Sequence, residues 1–164
     1  MIGIGLQSSH SIARAAALGI GFAVALLLAA APARADHCDD LAKQLADQID
    51  GVKVGRTAAN VIYLSHPAAR QLRLGCASRN ISNEIYGAAD ARKPSPAFQQ
   101  LIAGAAAIVF TIPKPDTLRG VARCFGRLGL LRGNDITTRF RRLDMHCTRS
   151  KTASTIAISR GKDE

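Results

Sequence analysis

SPAFQQLIAGAAAIVFTIPKPDTLRGVARCFGRLGLL, residues 95–131, decides the fold class of this chain because it separates two groups of strand-like segments. Ser95 followed by Pro96 predicts the start of a helix, since a serine hydroxyl caps the first turn and proline fits the first helical position. Apolar residues at helical spacing continue to Ile112, and Asp116 is the predicted cap of a second helix. Two consecutive helices between groups of strands predict an α+β domain.

Strand-like segments rich in β-branched and aromatic residues lie on both sides of this helical pair. They cover residues 57–65, 70–76, 80–87, 134–147 and 152–161. Ahead of them, residues 36–49 predict an amphipathic helix capped by Asp36, and DGVKVG at residues 50–55 is interpreted as a turn. We therefore expect the order α-βββ-αα-ββ, with three helices on one face of an antiparallel sheet of about four to five strands.

Residues 1–35 are typical of a secretory signal peptide. Arg14 supplies the positive charge, an apolar stretch follows, and Ala33-Arg34-Ala35 has the small-x-small pattern that signal peptidase recognises. Cleavage after Ala35 would leave residues 36–164 as a single exported domain, in the periplasm or secreted. The alternative is an uncleaved membrane anchor, because an apolar run of about 20 residues can span a bilayer. Residues 101–112, the other long apolar run, are too short for that and predict a buried helix, so no span is expected after cleavage.

All four cysteines lie in this predicted mature domain: Cys38, Cys76, Cys124 and Cys147. An even number of cysteines in an exported chain predicts two disulfides, each worth about 3–4 kcal/mol in the chain-entropy model. Of the three possible pairings, Cys38–Cys124 with Cys76–Cys147 is favoured. The first bond would join two helices that face the same sheet, and the second would join two strand ends.

The pairs His37-Cys38 and His146-Cys147 raise the alternative of a Cys2His2 zinc site. Structural zinc sites usually take ligands about two to four residues apart, whereas adjacent residues on a helix point in different directions. Disulfides are therefore favoured, and neither a metal nor another cofactor is expected. A second metal hypothesis is that cleavage creates an Asp36-His37 amino terminus able to chelate Cu(II).

Catalytic signatures are weak in this sequence. It contains neither the Gly-x-Ser-x-Gly of a nucleophile elbow nor a phosphate-binding loop. A non-enzymatic protein is favoured. The alternative is a small periplasmic enzyme or a copper- or metal-handling protein that uses His37, His66 or His146.

Positive charge is the strongest non-random feature. Lys and Arg number 22 against 12 Asp and Glu, for a net charge of +10. Between Thr117 and Lys162 only Asp135 and Asp144 oppose a dense series of arginines and lysines. Arginines recur every fourth residue along one side of the third predicted helix, which forms a basic ridge.

The predicted anion-binding residues are Arg119, Arg123, Arg127, Arg139 and Arg141. In the periplasm their expected partner is an anionic lipid, lipopolysaccharide or an acidic envelope protein. The alternative is a solvated face with no ligand. Phe140 is the only aromatic residue among the strand arginines, too little for a base-stacking platform, so nucleic acid is not expected.

Overall fold

The computed structural model describes residues 33–79, 81–129 and 133–161, so the predicted leader up to residue 32 lies outside the described residues. The helices are α1 (Ala33–Gln48), α2 (Pro96–Phe110) and α3 (Lys114–Arg127). The strands are β1 (Lys53–Ala58), β2 (Val61–His66), β3 (Ala69–Gly75), β4 (Glu84–Ala89), β5 (Asp135–Phe140), β6 (Leu143–Arg149) and β7 (Ser154–Arg160). The α+β class and the antiparallel sheet are confirmed, whereas the predicted strand number and the order α-βββ-αα-ββ are wrong.

The seven strands form one sheet in the order β1-β2-β3-β4-β7-β6-β5. Every neighbouring pair is antiparallel. The four strands before α2 and the three strands after α3 meet where β4 pairs with β7, in a register that sets Tyr86 opposite Ala157. The first and second groups of strands therefore form one continuous surface.

Strand β1 replaces the turn predicted at residues 50–55. All of its residues are exposed. Because neither face of the strand is buried, its sequence lacks the alternation of apolar and polar residues by which a strand is recognised. Ala59, at φ 51°, lies in the tight connection to β2. An edge strand with one neighbour and little burial leaves a weak signal in the sequence.

The segment 134–147, predicted as one strand, is the hairpin of β5 and β6. Phe140 pairs with Leu143, which leaves Arg141 and Arg142 as a two-residue turn with φ values of 47° and 64°. Positive φ at both turn residues matches the twist of a hairpin and is normally supplied by Asn-Gly or Asp-Gly. An Arg-Arg turn carries none of that sequence signature, and the hairpin was missed for this reason.

The three helices of the described residues cover one face of the sheet. A Cβ atom at Gly87 on β4 would overlap the Cδ1 atom of Ile102, so α2 lies close over this strand. A Cβ atom at Gly120 on α3 would lie 2.6 Å from the Cε atom of Met145 on β6. The apolar run at residues 101–112 supplies the buried side of α2, as predicted. Among the described residues, no helix has the length and apolar character needed to cross a membrane.

The helix start at Ser95 is confirmed, and the other two predicted caps are wrong. Ser95 Oγ accepts a hydrogen bond from the Phe98 amide at 3.1 Å, with Pro96 at the first helical position. Asp36 lies within α1 and does not cap it, because alanine and arginine directly before Asp36 are good helix formers. Helix α3 begins at Lys114, since Pro115 fits its first turn, and Asp116 is inside the helix.

Two disulfides are present, and the favoured pairing is wrong. Cys38 is bonded to Cys76 and Cys124 to Cys147, with Cα–Cα distances of 5.7 and 6.1 Å. Each bond joins a helix to the strand beneath it: α1 to the end of β3, and α3 to β6. Helix α2 occupies the sheet between these positions, which keeps Cys38 away from Cys124. The Cys2His2 alternative is wrong, because its two cysteines, Cys38 and Cys147, belong to different disulfides.

Candidate functional site: two arginine surfaces

Four of the five predicted anion-binding arginines lie along the seam where α3 packs beside the edge strand β5. Arg119, Arg123 and Arg127 follow one another on α3, and Arg141 is in the turn that joins β5 to β6. We call these four residues the α3 ridge. All four side chains are exposed.

Asp116 holds the first part of the ridge in place. Its Oδ1 atom accepts from Arg119, and its Oδ2 atom lies 3.1 Å from Nη1 of Arg141. The side chain of Asp116 is only 9% exposed, whereas those of Arg119 and Arg141 are 67% and 59% exposed. Two guanidinium groups are therefore exposed to solvent, and the carboxylate that anchors them is nearly buried.

The rest of the ridge is held by β5. The guanidinium carbon of Arg123 lies 5.2 Å from the ring centroid of Phe140, a cation–π contact. Arg127 donates from Nη1 to Oγ1 of Thr138 at 2.8 Å. These contacts fix the positions of the guanidinium groups and also attach α3 to the edge of the sheet.

Arg139 is not part of this cluster. It alternates along β5 with Thr138 and Phe140, which contact α3, so its side chain lies on the opposite face of the sheet. There it is 3.9 Å from Asp144 and helps to line an open cleft of about 840 Å³. The cleft also contains Arg79 and Glu84, so both signs of charge are present in it.

Two further arginines of the C-terminal region donate hydrogen bonds to main-chain carbonyls at the C-terminal ends of helices. Arg149 donates from Nη1 to the carbonyl of Leu128 and from Nη2 to that of Phe125, both at 3.2 Å. Arg160 donates to the carbonyl of Phe110, the last residue of α2, at 2.9 Å. A helix leaves its last carbonyls without partners and carries partial negative charge at that end, so arginine stabilises it. Part of the basic character of the sequence is therefore structural.

The three histidines of the enzyme or metal alternative are far apart in the fold. His37 is an exposed residue of α1. His66, at the end of β2, accepts at Nδ1 from the Ala68 amide and contacts the Asp50 carbonyl through Nε2, each at 3.0 Å, so it joins two turns. His146 lies on β6 with Nε2 2.6 Å from Asp135. No three His, Cys, Asp or Glu residues of the described ranges are grouped closely enough to hold a metal ion.

A second arginine surface, absent from the sequence predictions, lies on the sheet face that the helices leave open. Tyr63, Arg73 and Tyr86 are directly opposite one another on β2, β3 and β4. The guanidinium carbon of Arg73 is 3.9 Å from the ring centroid of Tyr86, and that of Arg56 is 4.9 Å from the centroid of Tyr63. We call these four residues the arginine–tyrosine row.

A bulge in β1 brings Arg56 into the row. The pairing with β2 shifts between Val54 and Thr57, so that Gly55 and Arg56 together are opposite Tyr63. A Cβ atom at Gly55 would lie 2.9 Å from the carbonyl oxygen of Tyr63, so glycine allows the close approach. Polar residues that alternate with buried apolar ones, as at Tyr63 and Ser65 on β2, at Gln71 and Arg73 on β3 and at Glu84 and Tyr86 on β4, were the available sequence signal for an open face, but strand register was needed to align them.

Comparison of the chain with protein-family models, with curated proteins and with solved structures gives no match.

Proposed function

We propose that this protein is a non-enzymatic exported protein that binds a phosphate-bearing anionic surface of the cell envelope, either phospholipid or lipopolysaccharide, through the α3 ridge. The observation that carries the proposal is the geometry around Asp116. One nearly buried carboxylate anchors Arg119 and Arg141 while leaving most of both side chains in solvent. Arg123 and Arg127 continue the same exposed row.

The anchoring contacts favour binding because they hold the guanidinium groups in position beforehand. Side-chain ordering normally costs affinity, and less ordering is required when a phenyl ring or a threonine hydroxyl already restrains the arginine. The planar guanidinium can also engage phosphate with two hydrogen bonds. Arg142, exposed in the same hairpin turn, adds charge at the end of the ridge.

The two disulfides are compatible with an oxidising compartment, which supports the proposal of export. An acidic envelope protein is the second source of anionic groups, and the binding experiment separates it from a lipid surface. In each case the contacts are exposed, so binding should weaken as salt shortens the Debye length to about 8 Å near physiological ionic strength.

The test is the binding of protein purified from the periplasm to phosphatidylglycerol vesicles and to lipopolysaccharide over a range of salt. Arg119→Gln/Arg123→Gln/Arg127→Gln should weaken binding about 100-fold at low salt, since each basic residue near an anionic membrane contributes about 1 kcal/mol. Gln keeps a hydrogen-bond donor for Asp116 and Thr138. The matched control is Arg70→Gln/Arg92→Gln/Lys151→Gln, which removes three charges elsewhere and should weaken binding far less.

Equal losses in the two triple variants would mean that net charge alone drives binding, and the ridge proposal would be wrong. It would also be wrong if the folded ridge variant bound as well as the wild type. Recovery of an acidic protein that binds the ridge more tightly than vesicles do would replace the lipid surface as the partner.

A further inference from the structure

The two guanidinium groups of the arginine–tyrosine row rest on aromatic rings, as that of Arg123 rests on Phe140, and not on carboxylates. Arg119 and Arg141 have Asp116, Arg139 has Asp144, and Arg70 has Asp90. Within the described ranges, no carboxylate lies within ion-pair distance of Arg56 or Arg73. The Nε atom of Arg73 is buried and has no hydrogen-bond partner there. Both arginines of the row rest on aromatic rings instead.

Stacking a guanidinium on a ring occupies one of its faces and leaves N–H groups at its edge for an anion, which for Arg73 are the Nη groups because its Nε atom is buried. Arg56 on β1 and Arg73 on β3 are two strands apart, which is about 10 Å at the usual strand spacing. A single small anion is too short to bridge two charges at that spacing. The spacing instead fits a stiff chain that carries repeated negative charges.

The same face argues against two other anionic partners. Base stacking needs accessible aromatic faces, but Arg56 covers a face of Tyr63 and Arg73 covers a face of Tyr86. Membrane insertion needs exposed apolar side chains, and the exposed large ones of the described residues are Val54 and Ile81, neither of which belongs to the row.

On one side of the row the open face carries hydroxyl and small side chains, whereas Glu84 and Asp144 lie on the other side, toward Arg139. Thr155 on β7 and Thr148 on β6 are opposite each other with their Oγ1 atoms 2.7 Å apart, and Ala157 lies beside Tyr86. Hydroxyl groups can both donate to and accept from a sugar. We propose that the open sheet face binds an acidic oligosaccharide, with carboxylates of the chain on Arg56 and Arg73 and its hydroxyl groups along the neighbouring strands.

The experiment measures calorimetric binding of short oligogalacturonates to the purified protein at low salt. The methyl-esterified oligomer, which has the same rings without the charge, is the control ligand. Arg56→Gln/Arg73→Gln should weaken binding about 10-fold or more, as expected for the loss of charged hydrogen bonds. Lys43→Gln/Arg70→Gln removes two charges from elsewhere and should change the affinity less than about 2-fold. Arg73→Lys keeps the charge but loses the planar fork, so it should bind more weakly than the wild type.

Near- and far-ultraviolet circular dichroism establishes that each variant is folded. If loss of the Arg73–Tyr86 stack unfolds the double variant, Arg56→Gln alone, on the exposed edge strand, must still weaken binding. Equal binding of the esterified oligomer, equal loss in the two double variants, or no binding of oligogalacturonate would overturn the proposal. Tighter binding of polyglutamate, single-stranded DNA or phosphatidylglycerol vesicles through the same two arginines would also overturn it. Because the row and the α3 ridge lie on opposite faces of the sheet, failure at one surface is distinguished from failure at the other.

Discussion

Arg149, at the end of β6, donates a hydrogen bond at 3.2 Å to the main-chain carbonyl of Phe125 in the last turn of α3. These residues are 24 positions apart in the chain. The same guanidinium reaches Leu128, so one side chain closes the end of a helix and ties it to the strand beneath. The contact shows that a charged residue in a basic region can stabilise the packing of a helix on a strand.

Replacing Arg149 with methionine should lower the free energy of unfolding by about 1.5–3 kcal/mol, the range for hydrogen bonds that involve a charged group. Methionine retains an apolar side chain, but it cannot donate to the carbonyls and has no positive charge to interact with the negative end of the helix dipole. Urea unfolding measures the change. Lys151→Met, an exposed position two residues away, is the control and should shift stability by less than about 0.5 kcal/mol. Equal effects at the two positions would contradict the capping role.

Asp116→Asn should lower stability and weaken binding to anionic vesicles. The variant loses the carboxylate shared by Arg119 and Arg141, at an expected cost of about 1–3 kcal/mol. It also releases the two guanidinium groups that Asp116 holds in position, so that binding to a membrane requires more side-chain ordering. Thermal unfolding and vesicle co-sedimentation measure the two effects. Vesicle binding by a folded Asp116→Asn protein that equals or exceeds that of the wild type would count against the anchoring role of Asp116.

Two glycines of α3 should respond to alanine in opposite directions. At Gly120 the new methyl group would lie 2.6 Å from Met145 Cε and 3.0 Å from Phe140 Cδ1, and overpacking of this kind costs about 1–3 kcal/mol. At Gly126 no atom lies within 4 Å, so alanine should stabilise the helix by up to about 1 kcal/mol. Denaturant unfolding of the two variants tests the packing of α3 on β6. Tolerance of Gly120→Ala would mean that the helix lies farther from the sheet.

The two disulfides should differ in their access to reductant. Cys124 and Cys147 are both fully buried, whereas Cys76 is partly exposed. Thiol exchange requires attack on an accessible sulfur, so the Cys38–Cys76 bond should be reduced first. Partial reduction, alkylation and peptide mapping give the order. A Cys38–Cys124 peptide from unreduced protein would refute the described arrangement of helices.

Local sequence signals predicted the elements that depend on near neighbours. The Ser95-Pro96 start of α2 was predicted correctly because capping involves residues only three positions apart. The hairpin turn at Arg141 and Arg142 and the edge strand β1 were missed, because neither carries a distinctive local pattern. Their conformations are set by pairing with β6 and β2.

For the candidate site, the sequence showed the charge but could not say what each arginine contacts. The α3 ridge follows from spacing on a helix, so its three helical members were found together. The separation of Arg139 from Arg141, and the alignment of Arg73 between Tyr63 and Tyr86, depend on strand register. A shift of one residue in register moves every side chain of a strand to the other face, which is why spacing alone did not determine these positions.

The sequence by itself determined the α+β class, the two central helices and an even set of cysteines able to form two disulfides. The tertiary structure alone decided that the sheet has seven strands, that Cys38 bonds to Cys76 and Cys124 to Cys147, and that Arg149 and Arg160 close helices. The physical reason is the distance along the chain over which each interaction acts. Hydrophobic periodicity and capping act over a few residues, whereas disulfide pairing and long-range hydrogen bonds depend on which helix lies over which strand.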